Sequence, residues 1–285
     1  MREIMKVSGF TFCRNAVLYD YPVVESIRSI LPLVDEFVVN VGRCNDGTLD
    51  LIRSIGDSKI RILESVWDET LRKDGLIYSQ QTNIALSHCT GDWAFYLQAD
   101  EVIHEDDLPR IVEAMQTHCG HPDVKGLVFR YLHFVGDYWS TNPWFYHKAV
   151  RIIRNNGEVE SCGDAVGFRL KASGRYLQSG PREWLAPSGG RVFHYGWVKD
   201  PKTMLAKKLE QTAVYHGDTP PPSEAKLYGL KAFEFEDYPI LKEFRGSHPS
   251  VMQVRLAAAS RRAPRRNRWL NWRFYREVAR RGFRG

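Results

Sequence analysis

Trp93-Ala94-Phe95-Tyr96-Leu97-Gln98-Ala99-Asp100-Glu101 is an apolar run that stops abruptly at two carboxylates. Bounded by Gly91-Asp92 on one side and by acids on the other, it reads as a buried central strand, because a strand covered on both faces loses its polar alternation. Its C-terminal end is then expected in a crevice, since open α/β sheets take ligands just beyond the carboxyl ends of their strands. The same acids, with Glu105, Asp106 and Asp107, would equally suit the first turn of a following helix.

Working outward, residues 7–12 read as a first strand followed by Arg14-Asn15. Residues 36–41 read as a second, followed by Asn45-Asp46-Gly47-Thr48. The pattern predicts strands near 6–12, 36–41, 59–64 and 93–98, with helices near 20–31, 47–55, 78–88 and 105–118. Strands alternating with helices at this interval imply right-handed βαβ units and a largely parallel sheet. Pro109 suits the first turn of the fourth helix, where its missing amide costs little. Residues 126–134 and 149–153 are rich in β-branched and aromatic side chains and are expected to be strands that extend or cross the sheet. Residues 192–197 form another strand-like run. Asp200-Pro201 reads as an N-cap and first helical position, opening a helix through Met204, Leu205, Lys208, Leu209 and Thr212. Pro220-Pro221-Pro222 breaks that pattern, and 217–250 reads as a loop-rich excursion.

A chain of 285 residues, 43% hydrophobic, can bury one full core. No apolar run approaches the ~20 residues of a spanning helix, and the N-terminus has no long apolar core of the signal-peptide kind. The expected setting is cytoplasmic and soluble. Cys13, Cys44, Cys89, Cys119 and Cys162 are scattered without the close pairs of zinc or redox sites, and read as reduced thiols. The net charge of +6 is uneven: residues 255–285 carry eleven arginines against one acid, a net +10 that leaves the other 254 residues at −4. Such a tail points to an anionic partner. With Trp269, Leu270, Trp272, Phe274 and Tyr275 among the arginines, a membrane surface ranks first. Packing on the domain, a disordered extension and nucleic-acid binding rank behind it.

Four pieces of the first hundred residues, in this order and spacing, resemble family 2 glycosyltransferases, whose fold is called GT-A. They are Phe12-Cys13-Arg14-Asn15; Asp46-Gly47-Thr48 with Asp50; Gln81-Thr82-Asn83-Ile84-Ala85-Leu86 before Gly91-Asp92-Trp93; and Gln98-Ala99-Asp100-Glu101. The likeness is continuous from about residue 5 to about residue 155 and patchy afterwards. It implies an α/β, Rossmann-like, mostly parallel sheet flanked by helices, with a C-terminal acceptor-side extension. Residues 1–120 would bind the nucleotide sugar, 121–216 would form the acceptor side, 217–254 the excursion and 255–285 the basic tail. The implied reaction moves a sugar from a nucleoside diphosphate donor to a hydroxyl of a glycan or lipid-linked acceptor, with inversion. The setting it suggests is bacterial surface polysaccharide or lipopolysaccharide assembly, with the tail at the inner face of the membrane.

The resemblance also assigns roles. Phe12, Arg14, Asn15, Asp46, Lys73, Gln81, Gln98 and Ala99 would contact the donor. Asn15 could instead cap a helix, Asp46 sits in strong turn chemistry whatever its role, and Lys73 could be a solvated loop residue. Asp100 is the candidate ligand for Mg2+ or Mn2+, which prefer carboxylate and phosphate oxygens. Where the family commonly has an aspartate two residues earlier, this chain has Gln98, so one charge is missing. His194, in Val192-Phe193-His194-Tyr195-Gly196-Trp197, is the candidate second ligand, with a hydrogen-bonded core histidine as the competing reading. Inversion needs a carboxylate to take the acceptor's proton. Asp164 is favoured, with Glu101, Glu160 and Glu183 as alternatives. Trp139 and Trp144 are candidate acceptor contacts. A sugar-phosphate nucleotidyltransferase would need a glycine-rich loop that residues 9–15 lack. A non-catalytic sugar- or nucleic-acid-binding module would have lost its metal chemistry at Gln98.

Overall fold

The computed structural model describes residues 5–235, 241–259 and 272–281. Strands β1 (Val7–Cys13), β2 (Glu36–Gly42), β3 (Ile60–Ser65) and β4 (Trp93–Tyr96) lie parallel in the order β3-β2-β1-β4. Helices α1 (Val23–Ile30), α2 (Thr48–Arg53) and α3 (Leu76–Leu86) connect them. After β4 come β5 (Glu101–Ile103), α4 (Leu108–Cys119), β6 (Gly126–Val135), β7 (Ser140–Thr141) and β8 (Lys148–Arg154). A hairpin of β9 (Val159–Cys162) and β10 (Gly167–Leu170) precedes the long β11 (Leu185–Trp197) and α5 (Pro201–His216). Short α6 (Pro222–Ala225), β12 (Lys242–Glu243), α7 (Gln253–Ala258) and the terminal α8 (Trp272–Arg281) complete the described elements.

Alternating side chains divide the core. Phe37, Val39, Trp93, Phe95 and Leu97 point to one face and pack with Ile27 and Ile30 of α1 and Ile111 and Met115 of α4. Phe10, Val38, Ala94 and Tyr96 point to the other and pack with Ala85 and Leu86 of α3 and with Val159 and Phe168 of the hairpin. Trp93 and Phe95 are fully buried, so truncating either to alanine would cost about 3–5 kcal/mol. This is the mixed α/β, mostly parallel architecture that the strand and helix periods imply.

The second half continues the sheet with mixed directions: β8 runs antiparallel to β4, β6 antiparallel to β8, β11 parallel to β6, and β5 antiparallel to β11. Thus β11 lies between β6 and β5, and its register sets His194 beside His133 on one side and Glu101 on the other. The chain needs an abrupt turn at residues 97–100 to deliver β5 to that place. Hence β4 is shorter than the apolar run suggested, and Glu101 opens a strand instead of a helix. The acids at Glu105–Asp107 form a short 3-10 turn ahead of α4, capped by His104 Nδ1, which accepts from the Asp106 amide at 3.2 Å. The β9–β10 hairpin and the first seven residues of β11 are elements the sequence pattern did not reveal.

All five cysteines are unpaired. Among the described residues no helix is long and apolar enough to cross a membrane. Of the basic tail, residues 260–271 and 282–285 lie outside the described residues, and with them Trp269, Leu270 and most of the expected membrane-facing charge.

Candidate active site

A cavity of about 360 Å³ opens beyond the carboxyl ends of β1 and β4, a size typical of small-molecule sites. One wall comes from Phe12 and Cys13 at the end of β1 and from Arg14, Asn15, Tyr19 and Tyr21 after it. Trp67 and Tyr78 close that side. Phe12 stacks on Tyr78 with ring centroids 5.8 Å apart, and the Arg14 guanidinium lies over the Trp67 ring at 5.1 Å while pairing with Glu69 at 2.7 Å. Asp164, Val166, Phe145, Tyr146 and Trp197 also line the cavity. The floor is Gln98, Ala99 and Asp100 with His133 and His194, and α5 supplies Met204, Lys207, Lys208, Gln211 and Tyr215, with Glu210 at their edge. That spacing is one helical stripe, so a single face of α5 looks into the cavity.

Asp100 is the electrostatic centre. Its Oδ2 accepts from Lys207 Nζ at 3.1 Å, and Lys207 also donates to the Gly196 carbonyl at 2.9 Å. Burial would raise the Asp100 carboxyl, but the charges of Lys207, His194 and Lys199 outweigh it and hold the group well below the usual carboxylate range. Asp100 Oδ1 lies 3.7 Å from His194 Nε2. A side chain at Gly196 would fill the space between them: a Cβ there would press on Asp100 Oδ2 and come within 2.9 Å of His194 Nε2. Among the described residues no cluster of three or more His, Cys, Asp or Glu could hold a metal ion. Hard cations at phosphate sites nevertheless take one or two protein ligands and draw the rest from phosphate and water. A carboxylate oxygen and an imidazole nitrogen facing each other on a cavity wall fit that donor set.

Asp164 sits in the turn between β9 and β10 and leans on the start of α3, where a Cβ at Gly75 would come within 2.9 Å of its own Cβ. Gly75 also has φ +69°, so two constraints favour glycine there. Asp164 Oδ2 accepts from Tyr215 Oη at 2.7 Å and Oδ1 from the Val166 amide at 3.3 Å. The carboxylate is partly exposed to the cavity.

Several expected site residues lie elsewhere. Glu101 is fully buried and outside the cavity: Arg151 grips it through Nε at 2.7 Å and Nη2 at 2.8 Å, Tyr131 Oη donates at 2.7 Å, and the Gln98 amide donates at 3.1 Å. With its acceptor sites occupied it has none for an incoming hydroxyl. Asp46 is spent on two amides and a hydroxyl: Oδ2 accepts from the Leu18 amide (2.8 Å) and Thr48 Oγ1 (2.9 Å), and Oδ1 from the Thr48 amide (3.1 Å). Gln81 is buried beneath the cavity, its Oε1 accepting from Asn40 at 2.9 Å and Ser65 at 2.7 Å. Lys73 is exposed on the loop before α3. None of these four lines the cavity. Glu160 pairs with Arg169 at 2.7 Å, Glu183 is exposed, and neither lines it. Trp139 packs with the Phe134–Phe193 cluster and Trp144 with Phe274 of α8. Phe145, Tyr146 and Trp197 line the cavity instead.

With this geometry in view, the family model for glycosyl transferase family 2 matches residues 13–177, more than half of the chain. The chain belongs to glycosyl transferase family 2. A comparison with curated proteins finds no match. Among solved structures, S. aureus TarS is 11% identical with a TM-score of 0.43, covering 79% of this chain. The match spans 42% of the TarS chain. TarS 1–349 in complex with UDP-GlcNAc is 12% identical, TM-score 0.41, covering 78% of this chain and 70% of that one. Glucosyl-3-phosphoglycerate synthase from Mycobacterium tuberculosis, in complex with Mn2+, UDP and phosphoglyceric acid, is 15% identical, TM-score 0.31, covering 45% and 43%. These likenesses are distant.

For this family 2 protein the sequence pointed to Phe12, Arg14, Asn15, Gln98, Ala99, Asp100, Asp164 and His194, all of which line one cavity. It missed Lys207, Tyr215, His133 and Trp67. The signal for Lys207 was present: it lies three residues after Met204 on the stripe of α5 that faces inward, where a lysine needs a buried partner. His133 had no such signal, because it reaches the site through strand register.

Proposed function

We propose that this protein transfers a sugar from a nucleoside diphosphate donor to a hydroxyl of a glycan or lipid-linked acceptor, with inversion. The observation that carries the reading is the pair Asp100–His194, facing each other on the wall of the cavity that also holds Arg14-Asn15 and Asp164. In this reading the base lies in the slot of Phe12, Trp67 and Tyr78, with Arg14 and Asn15 at its edge. Asp100 and His194 would hold Mg2+ or Mn2+, which would offset charge on the leaving diphosphate. Lys207 and Lys208 add positive charge on the same side. Asp164, oriented by Tyr215, accepts the acceptor's proton as its oxygen attacks the anomeric carbon and the bond to the diphosphate breaks. Phe145, Tyr146 and Trp197 offer apolar faces for sugar rings.

The basic, aromatic C-terminal stretch supports an acceptor met at an anionic membrane surface, as in assembly of bacterial surface polysaccharide. Phe274 of α8 is buried against Trp144, while Trp272 and Tyr275 are 65% and 52% exposed. The test is calorimetry with UDP, GDP, CDP and dTDP, each with Mn2+ or EDTA, on the wild type and Asp100→Ala. One nucleotide should bind with metal and fail to bind in the variant. No binding under any condition would sink the assignment of the cavity as a donor site.

A further inference from the structure

His133 and His194 lie side by side on β6 and β11, and their Nδ1 atoms are 3.2 Å apart. Both are buried. His133 Nε2 is 2.8 Å from the Tyr146 carbonyl oxygen. A carbonyl can only accept, so His133 Nε2 carries a proton. A second proton would make His133 a buried cation whose other ring nitrogen faces an imidazole instead of a carboxylate, an arrangement that burial disfavours. With its proton on Nε2, His133 Nδ1 can only accept, and the hydrogen between the two rings must come from His194 Nδ1. The ring of His133 cannot turn away, because Tyr131 stacks on it at 5.2 Å while Tyr146 and Phe145 meet it edge-on at 4.5 and 5.3 Å.

Resting on the reading of Asp100 and His194 as cation ligands, we propose that His133 is a positioning residue that fixes His194 in the Nδ1–H tautomer and so keeps the Nε2 lone pair aimed at the cavity. Without His133, Asp100 Oδ1, 3.7 Å from Nε2, offers an acceptor for a His194 proton. The proton would move to Nε2, His194 would turn donor towards Asp100, and both candidate ligands would be engaged with each other. Partners that orient a ligating histidine typically matter 10–100-fold in metal affinity.

The test uses the full-length protein labelled with 15N-histidine, in EDTA, with His194 assigned by difference from His194→Asn. Long-range 1H–15N correlations report which ring nitrogen carries the proton. The wild type should give His194 as Nδ1–H. His133→Asn, whose Oδ1 can replace Nδ1 as acceptor, should keep that tautomer and bind Mn2+, followed by electron paramagnetic resonance of the free ion, within about threefold of wild type. His133→Phe should shift His194 to Nε2–H and weaken Mn2+ binding by 10–100-fold. An Nε2–H signal in the wild type, or an unchanged tautomer in His133→Phe, overturns the proposal. Should His133→Phe fail to fold, the wild-type and His133→Asn spectra still decide it. An Nδ1–H wild type that binds no Mn2+ upholds the tautomer assignment and sinks the cation reading instead.

Discussion

The loop after β2 and the loop after β4 both end a parallel strand in aspartate, and they use it oppositely. After β2, a five-residue loop leads into α2, which begins two residues beyond Asp46, and Asp46 meets the amides of Leu18 and Thr48. Its lone pairs are spent on these amides and the Thr48 hydroxyl, and it becomes a clasp between two loops. After β4, the chain turns towards β5, and no backbone amide reaches the Asp100 carboxylate among its hydrogen bonds. A lysine from α5 and a histidine from β11 reach it instead. One residue further on, Glu101 is again consumed, by Arg151 and Tyr131. A carboxylate at a strand end is available for chemistry only where the local backbone and buried cations leave an oxygen over.

The comparison can be broken most sharply at Glu101. Replacement by alanine strands Arg151, fully buried, without its partner, and should lower unfolding free energy by about 3–5 kcal/mol in denaturant titrations. A change below 1 kcal/mol would mean that the ion pair is no strut. Asp100→Asn should lower metal-dependent nucleotide binding or transfer by about 10²-fold or more, in line with loss of a charge-stabilising group. Retained activity would remove Asp100 from the centre. Gly196→Ala sharpens the same point without changing a charge, since the new methyl intrudes between Asp100 and His194. Displacing groups by about 1 Å can cost up to ~10²-fold, and titration calorimetry should register at least a tenfold weaker metal-dependent nucleotide affinity. Asp46→Ala should cost about 1–2 kcal/mol of stability, as for loss of a helix-start cap, while nucleotide affinity falls less than tenfold. The reverse pattern, intact stability with binding abolished, would restore Asp46 to the site and undo the contrast.

The smallest effect concerns pH and lies away from the cavity. His248 is hydrogen-bonded to Tyr195 Oη at 2.7 Å within the Phe134–Phe193–Phe244 cluster, and burial lowers its basicity to about 4. Because the unfolded chain takes up that proton near pH 6.5 and the folded chain only near 4, its contribution is complete above pH 6.5 and declines as pH falls through that window. Melting curves of His248→Phe between pH 7 and 4 should therefore decline less steeply than those of the wild type; parallel curves would assign the acid sensitivity elsewhere.

How much of this was legible in the sequence follows the same division. The parallel half was readable because Phe37, Val39, Trp93 and Phe95 combine a strand period with short links to helices, and both signals are local. Asp100 and Asp164 could be named because each stands next to residues of marked character, an apolar run and a cluster of small residues. The fates of Asp46 and Glu101 could not, since Leu18, Tyr131 and Arg151 approach them from 28, 30 and 50 residues away. The β9–β10 hairpin was hidden because each strand is only four residues long, and the alternation of Phe168 and Leu170 in β10 is too brief to distinguish it from a loop. Residues 185–191 of β11 were hidden by Pro187, Gly189 and Gly190, which lie where the strand's register against β6 shifts and, at Gly189 and Gly190, pack close to α4.

That irregular strand has an engineering consequence. Between Pro187 and Arg191 the pairing of β11 already slips, so an added residue there has slack to occupy. Between Arg191 and His194 the register is continuous with β6, and from Val192 also with β5. Because neighbouring residues on a strand face opposite ways, one residue inserted in that three-residue span would turn the imidazole out of the cavity and bring Phe193 or the inserted residue to its place. Length variation along β11 should thus be tolerated on one side of Arg191 and silence the protein on the other, making this short span the gauge against which the two halves of the site are aligned.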